Sequence, residues 1–482
     1  MPERRALDAL KRTINERKKA FDAGSFFCVL GARAPTTLCA SCWDQQTRLA
    51  VADPIYFRYA FIGPAVEPML KILIIALMLS VSLISCAHQS VDLMPGTLSE
   101  KTRAVVGDGG VSEFYTHRGT LPQNVGLLLN QEPLSPHQSV PGAAVSMRLL
   151  YTSTDGIKES APIVVSGALF LPPGQAPDGG WPLLLWSHGT VGIADHCAPT
   201  WTGYVPFHQT HLAHWLEQGF AIVASDYQGL GTRGIHPYMA TQPEAYSNLD
   251  IIRAVQGSDF PVSKKVVLAG QSQGAGAAIA TAGYWPAYAP ELDIRGVVAT
   301  GVPYFSPEAV RALRHARPRD AVDPKLGYNF LVLSLLEYVD PAFDAAQHLK
   351  PNALPLAREV ASECNRDIRK KISQLGLTYN DVFETSREMS IEAAYAYMGF
   401  PTLTLATPLF IGTGLADVDT PPRMQFQLMK AACSAGTHVS AHTYRSFDHL
   451  SVLNHSLKDS VPFAKNAFDG NALPGNCTAL PF

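Results

Sequence analysis

Lys265-Val-Val-Leu-Ala-Gly-Gln-Ser-Gln-Gly-Ala-Gly-Ala-Ala-Ile-Ala280 is the stretch from which the chain can be read. The apolar run Val266 to Ala269 has the length and β-branched character of a buried strand. It runs into Gly270-Gln271-Ser272-Gln273-Gly274, a G-x-S-x-G pattern, and a small-residue helix follows from Ala275 to about Tyr284. Strand, sharp turn and helix form the context of a nucleophile elbow. The turn strains the serine backbone so that its hydroxyl projects from the sheet. Glycines on either side let strand and helix approach closely. The helix start offers unpaired N–H groups and the positive end of its dipole, which suits an oxyanion. Ser272 is therefore the candidate nucleophile, and the N–H of Gln273 one candidate oxyanion donor.

Working outward, strands and helices alternate. Strands are expected at Ala144 to Tyr151, Ile163 to Leu171, Leu183 to Ser187, Phe220 to Ser225, Arg295 to Thr300, Thr407 to Gly412 and His438 to Tyr444. Helices are expected at His211 to Gly219, Pro243 to Gln256 and Arg423 to Ala432. This rhythm predicts an α/β fold with a mostly parallel sheet flanked by helices. It stops between 306 and 405, where a helical pattern predicts an inserted cap over the active-site face. The core is expected in 141–305 and 406–482.

The strand Leu183 to Ser187 ends in His188-Gly189-Thr190, where a second oxyanion donor is expected from the N–H of Thr190. The side chain of His188 reads as a structural brace for that loop. Gly229, Gly231 and Gly234 match G-x-G-x-x-G in form. That fingerprint must open a helix, and His236-Pro237 disfavours one, so no dinucleotide cofactor is expected. After the later strands come Asp417 and His449, giving the order Ser272, Asp417, His449. Each lies just past a strand end, where loops converge. His449 would take the serine proton and return it to the leaving group, with Asp417 orienting the imidazole. Asp419 is the competing acid and otherwise reads as a helix cap. His442 lies inside a strand and His455 inside a helix.

At this point the chain resembles the secretory lipase family of α/β-hydrolases, from about Val140 to the C-terminus. The resemblance is carried by Leu149-Leu-Tyr-Thr-Ser-Thr-Asp155, Ser187-His-Gly-Thr190, Cys197-Ala-Pro-Thr200, Ser225-Asp-Tyr-Gln-Gly-Leu-Gly231 and Gly270-Gln-Ser-Gln-Gly274. It implies carboxylic-ester hydrolysis, a helical cap and an acyl pocket beneath it. It also implies the disulfides Cys197–Cys364 and Cys433–Cys477; the cysteines taken alone allow three pairings. A peptidase or other acyl-transfer enzyme on the same triad is the alternative, and a non-catalytic surface lipoprotein a more distant one.

The first 68 residues fit the remainder poorly. Cys39-Ala-Ser-Cys42 is a C-x-x-C with only Cys28 nearby, too few ligands for a metal site. Met69-Leu-Lys71 and the apolar run Ile72 to Cys86 have the form of a secretory signal peptide. Leu83-Ile-Ser-Cys86 resembles a bacterial lipobox. The expectation is that residues 1–68 come from an upstream mis-start and 69–85 form a signal peptide. Cys86 would be lipidated, tethering an exported envelope protein to the membrane through 86–140. A net charge of −3 with 16 % charged residues gives no basic stripe for nucleic acid. No metal site or cofactor is expected, and the oligomeric state is not legible.

Overall fold

The computed structural model describes residues 109–482 except 159–160, 317 and 385–391. The early cysteines, the apolar run and Cys86 lie outside the described residues. All described residues belong to one compact unit, Pro95–Phe482.

Nine strands form one sheet in the order β1-β2-β3-β5-β4-β6-β7-β8-β9. They are β1 Leu128–Pro133, β2 Val145–Thr154, β3 Pro162–Leu171, β4 Trp181–Ser187, β5 Ala221–Ser225, β6 Val262–Gln271, β7 Asp293–Thr300, β8 Leu409–Gly414 and β9 Val439–Tyr444. The pairs β1–β2, β2–β3 and β3–β5 are antiparallel and the rest parallel. The central strands are apolar because both of their faces are covered: every residue of β5 is buried, as are the last six of β6. Around the sheet pack α1 Pro206–Glu217, α2 Thr241–Gln256, α3 Gln273–Tyr288, α8 Pro422–Ser434 and α9 Leu457–Asp469. Two apolar layers result, one under α2 and α3 around Leu185, Leu268 and Ile279, and one under α1 and α9 around Trp186, Trp215 and Phe463.

The expected strands are all present, most of them longer than the apolar runs that signalled them. The helix expected from His211 starts at Pro206, where proline suits the first turn. The lead-in carries structure that its proline-broken sequence concealed. Residues 128–133 form the edge strand β1, and the buried Tyr115 bonds to Thr200 Oγ1 at 2.8 Å.

Between β7 and β8 the chain is helical, with α4 Pro307–Ala316, α5 Leu326–Val339, α6 Asn365–Leu375 and α7 Glu392–Met398, plus shorter turns. These helices bury an apolar cluster of their own, built on Phe330, Leu333, Leu336, Ile368 and Phe383. Cys197 is bonded to Cys364, which ties the loop after β4 to the start of α6, and Cys433 is bonded to Cys477.

Candidate active site

Sheet register brings the candidate residues to one edge. Ser187 pairs with Gly270, Gln271 with Thr300, and Thr300 with Gly412. Four adjacent strands thus release their C-terminal loops side by side.

Ser272 sits between β6 and α3 with φ +58° and ψ −126°, a strained geometry for a residue with a Cβ. It is fixed from both sides. Its N–H donates to Thr300 O at 3.0 Å, and its carbonyl accepts from Ala275 N (2.9 Å) and Gly276 N (3.2 Å). The flanking glycines are required by close approach. A Cβ on Gly270 would overlap the Gly274 carbonyl, and one on Gly274 would overlap that of Ser187. Gln273 is the first residue of α3, where main-chain N–H groups lack a partner within the helix. The His188–Thr190 loop runs against this turn: a Cβ on Gly189 would stand 3.5 Å from Ser272 Cβ.

His449 Nδ1 lies 2.8 Å from Asp417 Oδ2. The Asp417 side chain is fully buried and its remaining lone pairs are used. The N–H groups of Asp419 and Thr420 donate to Oδ1 at 2.9 and 2.8 Å, and Thr420 Oγ1 and Gln425 Nε2 donate to Oδ2 at 2.8 and 3.2 Å. An acceptor so saturated cannot rotate, so it fixes one edge of the imidazole. The His449 carbonyl accepts from Gln271 Nε2 at 3.1 Å, which anchors its loop to the residue before Ser272. Burial pulls the His449 pKa down, yet the bond to Asp417 and its charge outweigh that and raise it above the ordinary histidine value.

Asp419 is not the helix cap it resembles. Helix α8 is entered through Pro421 with no side-chain cap. Asp419 instead faces the inserted helices, with its Oδ1 3.4 Å from Tyr328 Oη and 3.6 Å from Arg369. His188 is a buried brace. Its ring lies 4.3 Å from that of Tyr227, Nδ1 is 2.8 Å from Gly189 O, and desolvation lowers its pKa to about 4. His442 packs on Phe410 from β9, and His455 on Phe447. Asp448 turns away to cap Ser451 through an N–H bond of 2.8 Å.

A cavity of about 270 Å³ opens above Ser272. Thr190 and Gln273 line its floor, and Val310, Leu326, Val332 and Met398 from the inserted helices line its walls. Sequence reasoning missed Thr420 and Gln425, which serve Asp417, and Gly301, which borders the His449 ring; none stands in a motif. Among the described residues, the one grouping with metal-ligand character is His196, Cys197 and Cys364, whose thiols are spent in a disulfide. No helix among them is long and apolar enough to cross a membrane.

A mostly parallel sheet with a strained serine between β6 and α3, and an Asp–His pair from the last two strands, defines an α/β-hydrolase. Residues 195–311 match the family model described as Secretory lipase. Lipase A of Moesziomyces aphidis is 24 % identical over 442 residues, covering 83 % of this chain and 89 % of that protein. The fold is also that of Candida antarctica lipase A in its X-ray structure, with TM-score 0.62, 20 % identity, and 77 % and 88 % of the two chains covered. It is likewise that of the rice cell wall degrading esterase LipA from Xanthomonas oryzae, with TM-score 0.55, 18 % identity, and 71 % and 97 % covered. The family match over residues 195–311 and the similarity to Lipase A support a secretory lipase family member, and the similar folds are those of lipase- and esterase-type hydrolases.

Proposed function

We propose that this protein hydrolyses carboxylic esters with Ser272 as nucleophile, His449 as general base and then general acid, and Asp417 as the group that orients His449. The observation that carries the reading is the strained Ser272 beside a buried His449–Asp417 pair at 2.8 Å. His449 Nε2 takes the Ser272 proton as Oγ attacks the ester carbonyl. The tetrahedral oxyanion is held by the N–H groups of Thr190 and Gln273. Collapse of this intermediate expels the alcohol with the proton from His449 and leaves an acyl-Ser272. Water, deprotonated by His449, then releases the acid. Burial of the His449–Asp417 pair supports this, because a dry ion pair forms without reorganisation when the imidazole becomes charged.

The inserted helices act as a cap whose apolar walls receive the acyl group, and the ester substrate enters from above Ser272. The reading also includes export, with a lipid anchor at Cys86 holding the protein on the cell envelope; the family match supports export. A panel of p-nitrophenyl esters of graded chain length, set against aminoacyl amides, tests the substrate class. Turnover of esters with none of the amides supports the reading. Preferential cleavage of amides would replace it with the peptidase alternative.

A further inference from the structure

We propose that Glu244 is a positioning residue for the oxyanion hole, working as a neutral acid that holds Gln273, and that the site fails when Glu244 loses its proton. The proposal rests on Ser272 and the Gln273 N–H acting as proposed above.

Glu244 lies in the first turn of α2, almost fully buried (1 % exposed), with no cationic side chain bonded to it among the described residues. An isolated buried carboxylate is costly, so such a group persists neutral or with a stated use. Its use is visible in the contacts. Gln273 Nε2 donates to Glu244 Oε1 at 2.7 Å and stands 3.3 Å from His236 Nε2. His236 Nδ1 lies 2.9 Å from Gln228 O, which fixes the neutral tautomer with the proton on Nδ1 and leaves Nε2 to accept from Gln273. Both amide protons of Gln273 are therefore spent, and the residue after the nucleophile is locked at the helix start.

The same helix holds the other arm of the hole. One turn on, Asn248 Nδ2 donates to Ser187 Oγ and Thr281 Oγ1, each at 3.0 Å. Ser187 leads directly into the His188–Thr190 loop. Positions i and i+4 of α2 thus brace both oxyanion-donor segments from behind.

The charge of Glu244 matters because of where it sits. Ionised, it would place a negative charge one side chain away from the forming oxyanion, in a water-poor setting where such charges act strongly. Desolvation moves its pKa up to about 8, against the hydrogen bonds from Gln273 and the Met239 backbone. The titratable groups facing it are His236 and Tyr227, with His188 behind them. Burial holds both histidines neutral, with values of about 4, and pushes Tyr227 well above its ordinary value. None of these changes charge between pH 6 and 9, so within this cluster Glu244 is the group that does; ionisation of His449 acts in the opposite direction, since its loss of a proton raises activity as pH rises.

The test compares kcat/KM for a short-chain ester at pH 7.5 and 9.0, by chromatographic product release, in the wild type, Glu244→Gln and Glu244→Ala. Circular dichroism at both pH values establishes that each protein is folded. The wild type is expected to lose roughly tenfold between the two pH values, following an ionisation near 8. Glu244→Gln, which keeps an acceptor and cannot ionise, is expected to lose less than twofold. Glu244→Ala is expected to lose kcat by about tenfold at pH 7.5 with KM little changed. A flat wild-type profile, or the same alkaline fall in Glu244→Gln, would overturn the proposal. Ser272→Ala separates this from failure of the parent reading: full activity there removes the nucleophile, whatever Glu244 does.

Discussion

Gly301 leaves the space that His449 occupies: a Cβ at Gly301 would stand 2.9 Å from His449 Cε1 and 3.0 Å from Nδ1. The residue also has φ +61° just past β7. Its neighbour Thr300 accepts the Ser272 N–H. One peptide therefore supports the serine turn while its missing side chain admits the imidazole.

Gly301→Ala should accordingly act on the chemistry more than on the fold. The methyl group must displace the ring or the backbone, at about 1–3 kcal/mol. A shifted imidazole loses its line to Ser272, and kcat should fall about a hundredfold. Steady-state kinetics with a melting curve check this. An alanine variant with a third of wild-type kcat would mean that His449 is not confined by Gly301.

Asp417→Asn and Asp419→Asn should separate sharply. Asp417 touches His449, and the amide would present the wrong tautomeric partner, with losses of roughly 10³–10⁴ in kcat. Asp419 faces Tyr328 and Arg369 and should cost less than about tenfold. Equal losses, or the reverse ranking, would move the acid to Asp419.

The acid limb of activity should respond to the same neighbourhood. His449 must be neutral to accept the proton, and its pKa is raised, so activity should fall as pH drops through a midpoint above the ordinary histidine value. Asp419 raises that pKa and Arg369 lowers it. Asp419→Asn should therefore move the limb to lower pH and Arg369→Gln to higher pH. The pH dependence of kcat/KM reads both shifts, and a shift of either variant in the opposite direction would contradict the charge geometry.

Stability should peak near pH 6 to 7. Burial lowers His188 and His236 to about 4 and His208 and His211 to about 3. Below pH 6.5 these four take up protons only on unfolding, so the stability that they contribute is lost as pH falls. Burial raises Asp226 to about 6 and Glu244 to about 8, so these two are protonated in the folded state and release protons on unfolding. Near pH 5 the difference is about two protons, worth roughly 3 kcal/mol of stability lost per pH unit downward. Above pH 7 Glu244 reverses the sign and stability falls as pH rises. Chemical denaturation from pH 4.5 to 9 checks the maximum, and a monotonic rise across the range would contradict it.

Filling the cavity should alter chain-length preference. Val332 lines it from α5. Each buried methylene is worth about 0.8 kcal/mol, or up to about fourfold in kcat/KM. Val332→Trp should abolish that gain for longer acyl chains while acetate esters stay within about threefold. An unchanged preference would mean that the acyl chain lies elsewhere.

The sheet was legible because its central strands are buried on both faces and so read as apolar runs between turns. Ser272, Asp417 and His449 could be placed because each follows such a run in chain order. What escaped the sequence depends on three-dimensional approach. Gly301 has meaning only once β7 lies beside β6 and β8. Glu244, Gln273 and His236 come together only after α2 packs behind the elbow. Asp419 carries the local pattern of a helix cap, and Tyr328 and Arg369, some 50 to 90 residues earlier, draw it away. Edge strand β1 lacks the apolar run because its side chains are half-buried or exposed.

Covalent capture decides whether Ser272 is the nucleophile. The protein is treated with a fluorophosphonate ester and its peptides are mapped by mass spectrometry. One stoichiometric adduct is expected on the peptide containing Ser272, with loss of esterase activity in step with labelling and no adduct in Ser272→Ala. Labelling at another serine, or full activity after Ser272 is modified, would contradict it.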